Sequence, residues 1–206
     1  MGRYLEASCK ICRRNKEKLY LKGARCETAK CAIEKRNYPP GLRSATTKKM
    51  SEYGKRLREK QKLRFFYGVS EVQMRNYFDK ALNQKGITGH NLLSLFERRL
   101  DNIVYRARLA NSRKEARQLV RHGHFEVNGH SANTPARIIT ETDVVAIAEA
   151  SKAFFKERST ALKDKGTPTW LSASDSENAI KLLHLPKREE IDAPVEVQLI
   201  VEFYSM

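Results

Sequence analysis

The chain has 206 residues and carries 40 Lys and Arg against 24 Asp and Glu, a formal net charge of +16. Forty per cent apolar residues allow one or two modest cores. No stretch approaches the roughly 18 apolar residues of a membrane span, and Met1-Gly2-Arg3-Tyr4-Leu5-Glu6 reads neither as a signal peptide nor, with Glu at position 6, as a myristoylation signal.

The charge is unevenly spread. Residues 1–64 hold 20 Lys and Arg against 6 Asp and Glu, whereas residues 65–150 hold 12 against 9 and residues 151–206 hold 8 against 9. Such a concentration repels itself and predicts a polyanionic partner. An anionic membrane would call for a basic amphipathic helix with aromatic residues on its apolar face. The single Trp, Trp170, lies far from the basic region.

Residues 1–44 read as an irregular arm closed by the breakers Tyr38-Pro39-Pro40-Gly41. It contains all four cysteines, Cys9, Cys12, Cys26 and Cys31, a close pair followed by a second pair. That spacing predicts a tetrathiolate metal site. Two disulfides would need an oxidising compartment, and nothing marks the chain as secreted. Zn2+ suits a closed four-thiolate site, and an iron–sulfur cluster uses the same ligands. Large aliphatic residues are few here, so the metal is expected to supply what burial cannot.

Thr46 to Met50 is linker-like. Ser51 then caps a helix over 52–66 with Gly68 at its end, rich in cations: Lys55, Arg56, Arg58, Lys60, Lys62 and Arg64. Ser70-x-x-Gln73 opens a second helix, with Met74, Phe78 and Leu82 as its buried stripe and Lys85-Gly86 at its close. A third helix is expected over 91–108. Leu92, Phe96, Leu100, Ile103, Val104 and Ala107 form its apolar face, leaving Arg98, Arg99, Arg106 and Arg108 for other faces. Ser112-x-x-Glu115 starts a short helix that ends at His122-Gly123. On it Arg113, Arg117 and Arg121 recur every four residues beside Lys114.

After Gly123 the period changes to two. Asn128-Gly129 marks a type I′ hairpin turn behind Phe125 and Val127, and Ile138-Ile139 and Val144 to Ile147 continue a small sheet. A helix is expected over 151–164 and a short one near 177–184. Val195, Val197, Leu199, Val201 and Phe203 alternate with polar residues and predict a final half-buried strand.

The run Leu95-Phe96-Glu97-Arg98-Arg99-Leu100-Asp101-Asn102-Ile103-Val104-Tyr105-Arg106, then Ser112-Arg113-Lys114-Glu115-Ala116-Arg117-Gln118-Leu119-Val120 and Val127-Asn128-Gly129, resembles the RNA-binding module named after small-subunit ribosomal protein four. Met1-Gly2-Arg3-Tyr4, Ser51-Glu52-Tyr53-Gly54, Tyr67-Gly68-Val69-Ser70-Glu71, Pro168-Thr169-Trp170-Leu171 and the closing Leu199 to Ser205 resemble the bacterial family of that ribosomal protein in register, and the four cysteines match its metal-bearing variant. Residues 172–190 resemble it least.

The resemblance implies an α+β fold: a metal-clipped arm over 1–44, a mainly helical domain from 45–94 with 178–206, and an RNA-binding module of helices and small antiparallel sheet inserted over 95–177. It implies a structural constituent of the small ribosomal subunit in the cytoplasm. Such a protein binds small-subunit ribosomal RNA as a primary binder and nucleates assembly. It neighbours small-subunit ribosomal protein five, lies by the path where messenger RNA enters, and influences decoding accuracy. The residues expected to face RNA are Arg3, Arg13, Arg14, Lys22, Arg25, Arg36, Lys55, Arg56, Arg58, Lys60, Lys62, Arg64, Arg113, Lys114, Arg117 and Arg121. The rival readings are a free RNA-binding translational regulator and an RNA-modifying enzyme with the same module. Arg99-Leu100-Asp101 resembles the catalytic triplet of pseudouridine synthases, but it falls inside the expected third helix, where Asp101 reads as a surface carboxylate. The five histidines show no ligand or triad spacing.

Overall fold

The computed structural model describes residues 4–41, 50–156, 166–174 and 179–206. Arg3, the linker reading of 46–49 and the second half of the helix expected over 151–164 lie outside them. The chain divides into two compact units, residues 1–92 with 193–206, and residues 93–192.

In the first unit the arm is more regular than its composition predicts. It holds α1 (Ser8–Asn15), a 3-10 turn over Gly23–Cys26, and α2 (Ala32–Lys35). Lys16 and Tyr20 take left-handed backbone conformations, with φ of 57° and 50°, and these tighten the turns between the elements. Leu19 and Ile11 are buried, and so are Cys12, Cys26 and Cys31.

Helix α3 (Glu52–Tyr67) starts as predicted, with Ser51 Oγ accepting the Gly54 N–H at 3.2 Å, and ends on left-handed Gly68. Helix α4 (Glu71–Leu82) opens with Ser70 Oγ accepting the Gln73 N–H at 3.3 Å. Its buried face is Met74, Tyr77, Phe78 and Ala81, whereas Leu82 is exposed. At 100° per residue, eight positions carry Leu82 about 80° away from Met74, so the expected stripe drifts off the core. The Asn91 amide closes α4 by donating to the carbonyls of Ala81, Gln84 and Lys85.

The largest departure from expectation is at the C-terminus. Residues 197–205 are an α-helix, Val197–Ser205, rather than a strand. The alternation that predicts a strand also contains Val197, Ile200, Val201 and Tyr204 at helical spacing, and Ile200 is fully buried. Packing against α3 selects the helical period. Tyr204 stacks on Phe78 at 4.6 Å, Phe203 lies 5.8 Å from Tyr53, and Arg56 pairs with Glu202 at 2.7 Å. Glu59 anchors the start of this helix by accepting the Glu196 N–H at 3.0 Å. Helix α5 (Thr88–Glu97) approaches it so closely that a Cβ on Gly89 would stand 2.6 Å from Val197 Cγ1, a separation only glycine permits.

In the second unit the helix expected over 91–108 is broken. Helix α5 ends at Glu97 and α6 spans Leu100–Arg106, with Arg99 extended at φ −67° and ψ 139°. Arg99 bridges to Ile138, and the Leu100 and Asp101 amides donate to the carbonyls of Arg137 and Pro135. These distant bonds replace the helical ladder at the break. Arg99, Asp101 and Arg106, expected on the surface, are buried.

Helix α7 (Arg113–Arg121) is capped by Ser112, whose Oγ accepts the Glu115 N–H at 3.3 Å. Asn128 and Gly129 take φ of 54° and 77°, the signature of the predicted I′ turn. They join β1 (Phe125–Val127) to β2 (His130–Ser131). With β3 (Val144–Ile147), β4 (Leu171–Ser174) and β5 (Ala179–Leu182) they make an antiparallel sheet in the order β2-β1-β3-β5-β4. Ala179–Leu182 is therefore a strand where a short helix is expected. The second unit runs on to Asp192, and the first resumes at Ala193. Leu100, Ile103, Val104, Leu119, Val120, Phe125, Val145 and Trp170 fill the core between the helices and the sheet.

Candidate RNA-binding surface

A cation serves a phosphate backbone only when its charge is accessible and not already neutralised. The basic run in α3 meets that condition poorly. Lys60 is buried against Glu71 at 2.6 Å, and Lys62 against Glu17 and Glu59 at 3.1 and 3.0 Å. Arg64 reaches Glu71 at 3.3 Å, Arg56 holds Glu202, and Lys55 pairs with Glu52 at 2.7 Å. Burial tends to raise the Glu71 carboxyl, but the Lys60 hydrogen bond and the charges of Lys60 and Arg64 outweigh it and hold it below the ordinary carboxylate range. Glu71 also accepts from Tyr204, whose hydroxyl is pushed well above its usual range by burial and by the facing carboxylate. These cations fasten the C-terminal helix and the arm to α3. Arg58 stands exposed on the same helix.

The arm is more open. Arg14, Lys22, Arg25 and Arg36 are exposed, as are Lys10, Lys16, Lys30 and Lys35. Arg13 is turned inward, donating from Nε to the Tyr38 carbonyl at 3.0 Å and lying 4.8 Å over the Tyr38 ring. It closes the arm on itself at the Tyr-Pro-Pro breaker.

All four cysteines are free thiols. They are near enough to influence one another. Burial pushes the Cys12 and Cys26 thiols up, amide hydrogen bonds from Leu19 and Lys22 work against it, and the neighbouring cysteines add to the rise. Among the described residues no group of three or more His, Cys, Asp or Glu stands as a ready metal-ion site. The donor set has the chemistry of a thiolate metal site, four neighbouring sulfurs of which those of Cys12 and Cys26 accept amide hydrogen bonds.

On α7 the predicted stripe divides. Arg113 donates from Nε to Asn102 Oδ1 at 2.8 Å and lies 4.5 Å over the Tyr105 ring. Asn102 is in turn held by Glu97, which accepts from Asn102 Nδ2 at 2.6 Å and from Arg106 at 2.8 and 2.9 Å. This chain fixes the base of Arg113, and it runs across the break between α5 and α6, which the spacing did not show. Arg117 is half-buried, and Lys114 and Arg121 are exposed. Tyr105 packs against the core and Phe125 lies within it. Arg99 and Asp101 form a closed bidentate pair at 2.7 and 3.0 Å with both partners buried, so Asp101 has no access to a substrate.

Beyond α7 lie three rings whose spacing gave no signal. His124 is parallel to His122 within 2°, with centroids 6.3 Å apart, and to Phe154 within 14° at 5.8 Å. Its Nδ1 is 2.8 Å from Ser151 Oγ. Among the described residues no helix is long and apolar enough to cross a membrane.

The chain matches two family profiles, the "Ribosomal protein S4/S9 N-terminal domain" over residues 3–97 and the "S4 domain" over residues 98–145. It is 53% identical to a protein of Acetivibrio thermocellus, 54% identical to one of Desulforamulus reducens and 48% identical to one of Thermodesulfovibrio yellowstonii, in each case across the whole of both chains. All three are named small ribosomal subunit protein uS4.

Proposed function

The chain belongs to the family of small ribosomal subunit protein uS4, and from that premise we infer a structural, non-enzymatic constituent of the cytoplasmic small ribosomal subunit that binds its ribosomal RNA. The observation that carries the RNA contact is the distribution of open charge. Arg14, Lys22, Arg25 and Arg36 on the arm, Arg58 on α3 and Arg121 on α7 are exposed. Side chains cannot enter the deep, narrow major groove of an A-form helix. The cations of α7 therefore act on backbone and shape, holding a folded junction. Arg113, fixed on Tyr105 and Asn102, is preorganised for such a contact.

The test is binding to an RNA carrying the junctions of the first domain of small-subunit ribosomal RNA, against a folded RNA of equal length from the large subunit. The expected result is at least about tenfold tighter binding to the former, within the usual gap between specific and non-specific sites. Equal affinities would reduce the protein to a polycation.

The same reading extends to an early place in assembly, contact with small-subunit ribosomal protein five, a position by the path of entering messenger RNA, and an influence on decoding accuracy. Family membership supports these.

It also extends to the arm. Cys9, Cys12, Cys26 and Cys31 would hold Zn2+ or an iron–sulfur cluster, and the metal would cross-link α1, the 3-10 turn and the start of α2. A bound four-thiolate metal would be structural, since it leaves no open coordination position. Cys26→Ser is expected to abolish stoichiometric metal in elemental analysis and to speed proteolysis within residues 4–41, while the thermal transition of the second unit stays in place. An arm equally protected in metal-free wild-type protein would refute the metal's structural role.

A further inference from the structure

The geometry points to a single-base pocket at the end of α7, in which one unpaired adenine of the bound RNA stacks on the His122 and His124 rings, the latter packed on Phe154. This rests on the RNA-binding reading above and names a contact within it.

Three observations converge. The first is the ring geometry. His124 faces His122 and Phe154 in near-parallel planes, His122 is exposed, and Phe154 keeps 44% of its surface in solvent. Phe155, buried at 2% exposure, meets the edges of His124 and Phe154 at 6.1 and 5.1 Å and holds them in place. The Ser151 hydroxyl fixes the rotation of His124 from the other side. Ordered aromatic rings that keep part of their surface in solvent are the usual platform for an unstacked base.

The second is size. Glu115, Gln118, Leu119, His122 and His124 line a cavity of about 240 Å³. That is below the range typical of whole small-molecule sites and suits one ring system.

The third is the polar edge. Gln118 offers both a donor and an acceptor to whatever enters. Glu115 offers a carboxylate, but its Oε2 already accepts the Asn111 N–H at 2.7 Å. A guanine binding both carboxylate oxygens through its N1–H and amino group would have to share the occupied one. Uracil has no amino group to give, and cytosine, which has one, offers the rings a single-ring face where a purine offers two. Adenine needs one acceptor for its amino group and one donor for a ring nitrogen, the pairing a glutamine amide commonly supplies. The exposed Lys114 and Arg121 on α7 and Lys156 beyond Phe154 supply charge for the flanking phosphates.

The probes are a small-subunit junction RNA and six-nucleotide RNAs of adenosine, of uridine, and of adenosine with central abasic sites. Binding is measured at fixed salt with the full-length protein, and the His122 and His124 ring protons are followed by NMR. The expected result is that the adenosine oligomer binds about tenfold tighter than the uridine and abasic ones and shifts both sets of ring protons upfield. His122→Ala should remove most of that difference, and Gln118→Ala should abolish the adenine preference while keeping the stacking shifts. Equal affinity for the adenosine and abasic oligomers, or an unchanged preference in His122→Ala, would overturn the pocket. Junction RNA separates the two readings. If wild type binds it and only the base preference is missing, the pocket alone fails; if wild type does not bind it, the RNA-binding reading fails with it.

Discussion

Glu97→Ala is expected to lower the stability of the second unit by about 3–5 kcal/mol, the usual cost of stripping one partner from a buried ion pair. Glu97 has no exposed surface and accepts from Arg106 Nε and Nη2 and from Asn102 Nδ2. Its removal strips the buried Arg106 guanidinium of the carboxylate that pairs with it at 2.8 Å, and Asp192, at 3.4 Å, is exposed. Chemical denaturation followed by fluorescence is well placed to measure this, because Trp170 is the sole tryptophan and lies fully buried in that unit's core. A loss under about 1 kcal/mol would mean that the pair is redundant. Replacing Glu97 and Arg106 together by apolar residues of similar volume should recover much of the loss, since the stranded charge then disappears. The single variant should also weaken RNA binding without touching RNA, because Asn102, left with the residue-97 backbone carbonyl alone, holds Arg113 less firmly.

RNA affinity is expected to fall by about 10³–10⁵ between roughly 50 and 200 mM salt, as for a protein neutralising some six to ten phosphates. The magnitude follows from which cations remain open. The basic run of α3 would by itself add six contacts, but in the structure only Arg58 stands clear of the acids of the first unit. Replacing Arg58 or Arg121 by Ala should each reduce the log–log slope by about one. Lys62→Met should leave the slope unchanged and instead loosen the arm, since Lys62 is held between Glu17 on the arm and Glu59. A flat salt curve would overturn the phosphate-contact account. A one-unit change in slope from Lys62→Met would show that the ion pairs open on binding.

Local signals carried well wherever the chain itself closes the bonds. Ser51, Ser70 and Ser112 each accept an N–H three residues on, because a cap is a contact within one turn. Asn128-Gly129 is a hairpin turn because both positions need positive φ and these residues tolerate it. The order of helix, capped basic helix and hairpin was therefore readable, and with it the family.

Charge was read less well, because a sequence counts cations without saying which are neutralised. Lys60, Lys62, Arg56 and Arg64 look like the rest of the basic run, yet their acids come from as far away as Glu17 and Glu202. The His122–His124–Phe154 rings are brought together only when the chain beyond β3 returns to the end of α7.

By itself the sequence determined the caps, the turn and the buried stripes of α6 and α7, set by residues within a few positions of one another, and it showed the concentration of positive charge and the four thiols of the arm. Only the tertiary structure decided between periods that the sequence satisfied equally. Residues 195–203 alternate as a strand would, and Ile200 is buried because α3 offers a helix-shaped partner. Residues 91–108 keep a helical stripe across a break that exists because the Arg137 and Pro135 carbonyls, some 40 positions on, accept the Leu100 and Asp101 N–H groups and the Ile139 N–H donates to the Arg98 carbonyl. In both cases burial and hydrogen bonding to a distant segment outweigh a local preference worth only tenths of a kcal/mol per residue.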